Sequence, residues 1–466
     1  MSGTIISFDD GSLPSLSQVG GKALSLARMT KVGFNVPVGF TLSTEFFADW
    51  ISGIVGSREW EAVIKATPRE LPGALGEVRR RFGEIPFTDI QLKALDKATR
   101  GLHPAKLFAV RSSSPEEDLE SASFAGEYET LLGVTGEKLI EAISTCALSC
   151  FSERLILYKQ KHGFDIRRPQ IAVIVQRQVK SEKAGVAFSL NPINNCYDEC
   201  VINANFGLGE SVVSGGVTPD QFVVDKVGLR VVDRRLGTKA FSLEIEDQGL
   251  IQREKGDLDG AFCLSEDEII ELTEIVSQIE ELYGRPVDVE WAFAGGEIFI
   301  LQARPVTAYF PLPESMRTKP GEQKRVYLDG TLTKLGMNDP MSVMGGDLLE
   351  IFGREFLRHQ TGLDLYRLNE GIYESACGRS YVNLSNILKL GGRRKLSAAF
   401  RSIDTIAASI VETLDEKEYR ATSFPRAIVT PRIFKVLRLV PAFLLRLFGA
   451  MKDPAKAHAR FKEETE

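Results

Sequence analysis

Val287-Asp-Val-Glu-Trp-Ala-Phe293, Ala294-Gly-Gly-Glu297 and Ile298-Phe-Ile-Leu-Gln-Ala-Arg-Pro305 follow one another without a break. Two runs rich in Val, Ile, Phe and Trp around a Gly-Gly pair read as a β-hairpin. Side chains alternate faces along a strand. Asp288, Glu290 and Ala292 therefore share one face, and Ile298, Ile300, Gln302 and Arg304 share one face of the return strand. A turn centred on Gly296 sets Glu290 opposite Gln302 and Asp288 opposite Arg304. A carboxylate, an amide oxygen and a guanidinium then converge on one side of a sheet whose other side is apolar. Carboxylate and carbonyl oxygens suit Mg²⁺, which takes one or two protein ligands plus phosphates and water. An arginine fork suits phosphate oxygens. The hairpin reads as a place to hold a metal-bound polyphosphate. The competing reading of the same residues is an exposed sheet face with a surface salt bridge.

Composition sets the outer limits. A chain of 466 residues has room for about two to four domains. Its net charge of -6 argues against a general nucleic-acid binder, which is usually basic. No charged-then-apolar leader opens the sequence, which predicts a cytoplasmic protein. The longest apolar stretch, Ile433 to Ala450, is interrupted by Lys435, Arg438, Pro441 and Arg446. It is too broken for a membrane span and reads as a buried or partner-facing helix. Cys146 and Cys150, like Cys196 and Cys200, are four apart with no histidine at ligand spacing. These thiols read as small core residues rather than metal ligands.

Along the chain, strands are expected at Leu107–Arg111, Ile171–Gln176, Ala184–Ser189, Cys200–Ala204 and Gln221–Asp225. Helices are expected at Lys22–Lys31, Thr44–Ile54, Gly136–Cys150 and Ser265–Leu282. The last of these opens on Ser265-Glu-Asp-Glu268, a capping box. Mixed strands and helices point to α/β or α+β packing. A Pro-, Lys- and Glu-rich stretch over 311–324 reads as a linker. It separates residues 1–310 from a more helical and basic region, 325–466. Pro454 to Glu466 read as an unfinished helix with no stop signal, the expectation for one part of a larger protein.

Four further motifs carry candidate chemistry. Val19-Gly-Gly-Lys-Ala-Leu-Ser25 places two glycines and Lys22 at a helix start, where backbone N–H groups favour an anion. It is not a Walker A loop, because Leu16 and Ala23 stand where that motif needs Gly and Ser or Thr. Phe108-Ala-Val-Arg-Ser-Ser-Ser114, then Glu117-Asp118, then Ser123-Phe-Ala-Gly-Glu-Tyr-Glu-Thr130 supply Arg111, Gly126 and Thr130, a set suited to phosphate oxygens. Gly185-Val-Ala-Phe-Ser-Leu-Asn-Pro192 and Ala204-Asn-Phe-Gly-Leu-Gly-Glu-Ser-Val-Val-Ser-Gly-Gly-Val-Thr-Pro-Asp-Gln221 follow. The second is a glycine-rich loop able to close over a ligand. Taken singly, each is also explained by a turn, a cap or a strand end.

In this order, and with the hairpin last, the motifs resemble the N-terminal nucleotide-binding region of the pyruvate/phosphate dikinase, phosphoenolpyruvate synthase and rifampin phosphotransferase family. The resemblance covers roughly residues 15–308. It implies an α+β ATP-grasp fold in which two lobes clamp ATP. It implies that Lys22, Arg111, Gly126 and Thr130 line the triphosphate, with Leu131 adjacent, and that Gln176 lies near the adenine. It further implies that Glu290 and Gln302 hold Mg²⁺ and that Arg304 holds a phosphate, with Lys22, Arg111 and Arg304 as the catalytic cations. Family enzymes split ATP to AMP and phosphate. They pass the β-phosphoryl to a histidine on a swivelling domain and then to a small-molecule acceptor such as pyruvate or an antibiotic.

The sequence also departs from that pattern. Its four histidines follow Leu102, Lys161, Arg358 and Ala457, and none stands in the swivel motif of a Ser or Thr before the histidine and small apolar residues after it. A phosphohistidine domain, in trans or on a longer chain, is therefore an expected partner. Asp339-Pro-Met-Ser342 and Gly378-Arg-Ser-Tyr-Val-Asn-Leu-Ser385 resemble, more weakly, the start of the central substrate domain of rifampin phosphotransferase-like proteins. Two other readings stay open: an ADP-forming ATP-grasp ligase, and a non-catalytic nucleotide-binding remnant.

Overall fold

In a computed structural model of the chain, residues 4–102, 106–116, 118–119, 122–123, 128–246, 249–254, 260–309, 312–318, 322–329, 340–361, 372–401 and 404–422 are described. Gly126, Glu117, Asp339 and the apolar run from Ile433 to Ala450 lie outside them. The chain divides into two compact units, Met1–Tyr309 and Phe310–Glu466.

Two antiparallel sheets build the first unit. The first comprises β1 (Ile5–Ser7), β2 (Gly39–Leu42), β3 (Leu107–Ser113), β6 (Thr130–Thr135) and β7 (Ala172–Arg177), in the order β1-β2-β7-β3-β6. A two-residue ladder, β4 (Asp118–Leu119) with β5 (Ala122–Ser123), stands apart from it. Alternation decides what covers each face. Phe108, Val110, Val173 and Val175 join a core with side chains from α2 (Ala48–Val55), α3 (Arg58–Lys65), α4 (Leu71–Phe82), α5 (Asp89–Arg100), α6 (Leu139–Leu148) and α7 (Glu153–His162). Arg111 and Ile174, which pair across β3 and β7, point the other way. Ile174 there joins a second core with Leu26 and Met29 of α1 (Leu16–Val32).

The second sheet is β11-β10-β9-β8-β14-β15, from β8 (Lys183–Phe188), β9 (Glu199–Phe206), β10 (Asp220–Asp225), β11 (Arg230–Arg235), β14 (Val287–Ala294) and β15 (Glu297–Pro305). Val287, Val289 and Trp291 pack under α9 (Glu266–Tyr283), against Ile269, Leu272, Val276 and Ile279. The capping box expected at Ser265 is formed with Glu268, and Gly284 ends the helix in the left-handed region at φ 67°. A short helix, α8 (Glu210–Val213), lies between β9 and β10, and the hairpin β12 (Phe241–Glu246) with β13 (Gly249–Glu254) follows β11.

The second unit holds a three-stranded sheet, β16-β18-β17, from β16 (Tyr327–Asp329), β17 (Tyr373–Ala376) and β18 (Arg379–Asn383). Its helices are α10 (Val343–Thr361), α11 (Leu384–Phe400), α12 (Thr405–Thr413) and α13 (Glu416–Tyr419). Leu384, Leu388, Leu396 and Val411 form its core. Lys324, which composition assigns to a linker, is buried and pairs with Glu418 at 3.0 Å. No described helix is long and apolar enough to cross a membrane.

The helix expected from Lys22 begins earlier, at Leu16, and is broken at Gly20 (φ 77°, ψ 170°). A Cβ at Gly20 would lie 2.5 Å from the Ser113 carbonyl carbon, so the end of β3 occupies the space a side chain needs. Gly20→Ala is expected to cost more than ~1 kcal/mol, since it meets both a clash and a backbone region closed to L-residues. Gly11, which has nothing within 4 Å of its would-be Cβ, should tolerate Ala within about 0.5 kcal/mol. Urea denaturation of the two variants checks this; equal midpoints contradict it.

Candidate functional site

The β14–β15 hairpin turns through Gly295 and Gly296, both at positive φ (61° and 81°), with Ala294 pairing Glu297. Continued without interruption, that ladder would set Glu290 opposite Leu301. Instead the register shifts between Glu290 and Trp291, so Trp291 pairs Ile300 and Glu290 pairs Gln302. Leu301 is the extra residue of a β-bulge. Asp288 then faces Arg304. The cross-strand pairs are those read from the sequence, but the faces need a correction. Ile298 and Ile300 do not share a face with Gln302 and Arg304; they enter the core with Trp291 and Ala303. Phe299 and Leu301 pack with Ala292 on the other side.

The bulge matters because it removes the Leu301 carbonyl from the regular ladder. Arg111 of β3, in the first sheet, donates from Nη1 to that carbonyl at 2.6 Å. Its Nη2 donates to Gln302 Oε1 at 2.6 Å and to Glu290 Oε2 at 3.1 Å. Arg111 and Gln302 are buried, whereas the Glu290 side chain keeps 22% of its exposure. One guanidinium thus joins the two sheets at the carboxylate–amide pair. On the next row of the hairpin, Arg304 donates from Nε and Nη2 to Asp288 Oδ2 at 3.0 and 2.7 Å. The other Asp288 oxygen is buried without a hydrogen-bond partner. Burial pushes the Asp288 carboxyl up, against the opposing pull of Arg304.

Lys22 is brought into the same neighbourhood by α1. Ser25, one turn on, donates to the Ala303 carbonyl at 2.7 Å, next to Gln302. Burial pushes the Cys146 thiol beneath β3 up to about 12, and the charges of both Lys22 and Arg111 act to lower it. The expected anion-binding N–H groups are spent differently. Gly21 N–H donates to the Ser114 carbonyl at 3.2 Å, and Ala23 N–H to Ser113 Oγ at 3.1 Å. Here the glycines admit β3 and let Ser113 cap the helix.

Thr130 pairs with Arg111 across β6 and β3 and shares its face. Leu131 pairs with Val110 and packs into the helix-covered core, so its side chain is not brought to the site. Gln176 is buried on the Arg111 face, one row away, and donates from Nε2 to the Pro37 carbonyl at 3.0 Å. Gly39 is required beside it: a Cβ there would lie 2.6 Å from Gln176 Cγ. A residue missed in the sequence is Glu210, at the start of α8. Desolvation raises its carboxyl first, the Glu290 charge adds to the rise, and Arg111 opposes it. A cavity of 1410 Å³ lies elsewhere, lined among others by Asp9, Trp50, Glu84 and Lys97. None of the predicted site residues lines it, and convergent charged groups mark a site better than volume does.

As a metal site the Arg111 row of the hairpin offers two oxygen-bearing side chains, Glu290 and Gln302; Asp288, one row on, is held by Arg304. No cluster of three or more His, Cys, Asp and Glu residues suited to a metal occurs among the described residues. Two protein ligands fit Mg²⁺ that arrives with phosphates and water, and do not fit an all-protein cage. Glu290 fits that role: it is part-exposed, and its Oε1 makes no hydrogen bond among the described residues.

Residues 16–324 match the family described as pyruvate phosphate dikinase, AMP/ATP-binding domain. The chain belongs to that family. Among curated relatives of this dikinase-type domain, an uncharacterized phosphotransferase, YvkC, of Bacillus subtilis is 36% identical over 69% of the chain and 36% of its own length. A probable phosphoenolpyruvate synthase of Methanocaldococcus jannaschii is 36% identical over 64% of the chain and 26% of its own length. The rifampicin phosphotransferase of Bacillus subtilis is 32% identical over 74% of the chain and 40% of its own length. The chain thus spans less than half the length of each of these relatives.

The raised Glu210 carboxyl makes a pH prediction. A carboxyl whose folded pKa is raised favours the native state below its unfolded pKa, and that favour is lost as pH rises through the folded pKa. Glu210→Gln should therefore be at least as stable as the parent protein near neutral pH. The difference should close as pH falls below the ordinary glutamate range. Thermal melts across that range check the sign; a variant less stable at neutral pH and equal in acid contradicts it.

Proposed function

We propose that residues 1–310 form an ATP-grasp module that binds Mg-ATP between the two sheets of the first unit. In this reading the module supplies the nucleotide half of a dikinase-type phosphotransfer. The observation that carries it is the Arg111 guanidinium of one sheet held by Glu290 and Gln302 of the other. Family membership supports it.

On this reading a triphosphate competes with Glu290 for Arg111. Phosphate oxygens take over the guanidinium fork, and the Glu290 carboxylate is released toward the cation. Glu290 and Gln302 would hold the Mg²⁺, which when bound neutralises charge on the polyphosphate. Arg111, Arg304 and Lys22 stabilise charge on the equatorial oxygens of the transferring group, the main demand of phosphoryl transfer. Thr130 and Gly126 border the phosphates and Gln176 the base. The β-phosphoryl passes to a histidine on another domain or chain, AMP leaving from its α-side and water taking the γ-phosphoryl as phosphate, and then to a small-molecule acceptor such as pyruvate or an antibiotic. The relatives named as phosphoenolpyruvate synthase and rifampicin phosphotransferase support those two acceptor classes.

Glu290→Ala should weaken Mg-ATP binding by about tenfold or more, equivalent to ~1.4 kcal/mol. Lys65→Ala, at a side chain 71% exposed, should leave it unchanged. Calorimetry giving equal affinities contradicts the assignment. With a phosphohistidine-domain protein added, turnover should yield AMP and phosphate; accumulation of ADP would favour the ligase chemistry instead.

A further inference from the structure

The glycine-rich motif from Gly207 to Asp220 contributes none of the contacts assigned above, yet its far end carries a buried ion pair. Lys239 and Asp220 are 2% and 0% exposed. Asp220 Oδ1 accepts from Lys239 Nζ at 2.5 Å and from Gly237 N–H at 2.8 Å. Its Oδ2 accepts from Cys263 N–H at 2.8 Å. Lys239 Nζ also donates to the Ala261 carbonyl at 3.2 Å, and its backbone N–H to the Thr218 carbonyl at 3.1 Å. Three chain segments meet at this pair: the end of the glycine-rich loop, 237–239 and 261–263. The approach is close enough that a Cβ on Gly237 would lie 2.3 Å from the Pro219 carbonyl carbon. Lys239 itself sits at φ 42°, a conformation uncommon for a non-glycine residue.

The near end of the loop is held separately. Leu208 N–H donates to the Leu243 carbonyl at 2.6 Å, and Val217 N–H closes the loop on the Ser211 carbonyl at 3.2 Å. Asn205 Nδ2 donates to Ser211 Oγ and to the Phe241 carbonyl, both at 3.0 Å. Between these anchors, Gly209 rests on β8: its Cβ position is 3.6 Å from Ala184 Cβ and from Gly185 N. The next residue of β8, Val186, is the β14 partner of Glu290. The loop is thereby set down beside the carboxylate–guanidinium cluster, and Glu210 follows Gly209.

We propose that Asp220 and Lys239 are positioning residues for the nucleotide site, fixing the 207–219 loop so that Glu210 faces Arg111 and Glu290. This rests on the reading of that cluster as a Mg-ATP site. An apolar pair of similar volume would avoid the desolvation of two charges but would leave the Gly237 and Cys263 N–H groups without an acceptor. The ion pair adds directed hydrogen bonds to three segments, which an apolar pair lacks.

That difference separates positioning from plain stability. The full chain, its Asp220→Leu/Lys239→Met double variant and its Asp220→Asn variant would be compared. The three measurements are thermal melting, hydrogen exchange of 207–219 and calorimetry with Mg-ATP. The double variant leaves the Gly237 and Cys263 N–H groups without their acceptor and is expected to melt below the parent, to exchange rapidly over 207–219 while α9 keeps its protection, and to bind Mg-ATP about tenfold more weakly. Asp220→Asn keeps the volume but leaves the buried Lys239 charge without its carboxylate and should melt lowest of the three. Folded variants that protect 207–219 and bind within about twofold of the parent overturn the proposal. If the parent chain itself binds no Mg-ATP, the site reading fails, and the exchange of 207–219 alone then decides whether the pair positions the loop.

Discussion

The first unit depends on one buried guanidinium. Arg111 leaves the middle of β3 and ends among three acceptors on the β14–β15 hairpin: the Leu301 carbonyl, the Gln302 amide and the Glu290 carboxylate. At 3.1 Å the Arg111–Glu290 attraction is of order 5 kcal/mol at an effective dielectric near 20. Desolvation of the two ions offsets much of that. The hydrogen-bonded fork decides the geometry. A lysine could not meet three acceptors in that arrangement, because its charge is a point and its donors are not planar. The joint links the two sheets, and its components are those a polyphosphate and a divalent cation would compete for.

That joint needs a defect in the sheet. Without the extra residue at Leu301, Gln302 would slip out of register with Glu290 and the free carbonyl would be lost to the ladder. The alternation of Val287, Val289 and Trp291 with Asp288 and Glu290 is a local property and was legible in the sequence, as was the capping box at Ser265. The bulge is not, because the carbonyl it frees is met by Arg111, 190 residues earlier. A turn centred on Gly296 would give the same pairs. The chain reaches them with a two-residue turn and one inserted residue.

The same division runs through the rest of the site. Lys22 and Arg111 stood out as cations beside glycines and hydroxyls, yet the purpose of Gly20 is packing: Ser113 lies where its side chain would be. Leu131 falls on the helix-covered side because alternation from Thr130 sends it there. The helices at Arg58–Lys65, Leu71–Phe82 and Asp89–Arg100 were not picked out at all. They are short and largely polar, and α4 carries Pro72 and Gly73 in its first turn and Gly76 in its interior. Tertiary burial of Trp60, Leu71, Leu75 and Leu95 makes them helices. Asp220 and Lys239 sit nineteen positions apart in chain order, and nothing local marks them as partners.

In the function proposed above, Arg111, Glu290 and Gln302 form the phosphate and metal end of a nucleotide site between the two sheets. A crystal structure of the chain with Mg²⁺ and a non-hydrolysable ATP analogue tests it most directly. Phosphate oxygens are expected on Arg111 and Arg304, with the cation ligated by Glu290 and Gln302. A nucleotide bound elsewhere, with the Arg111–Glu290 contact unchanged, would contradict it.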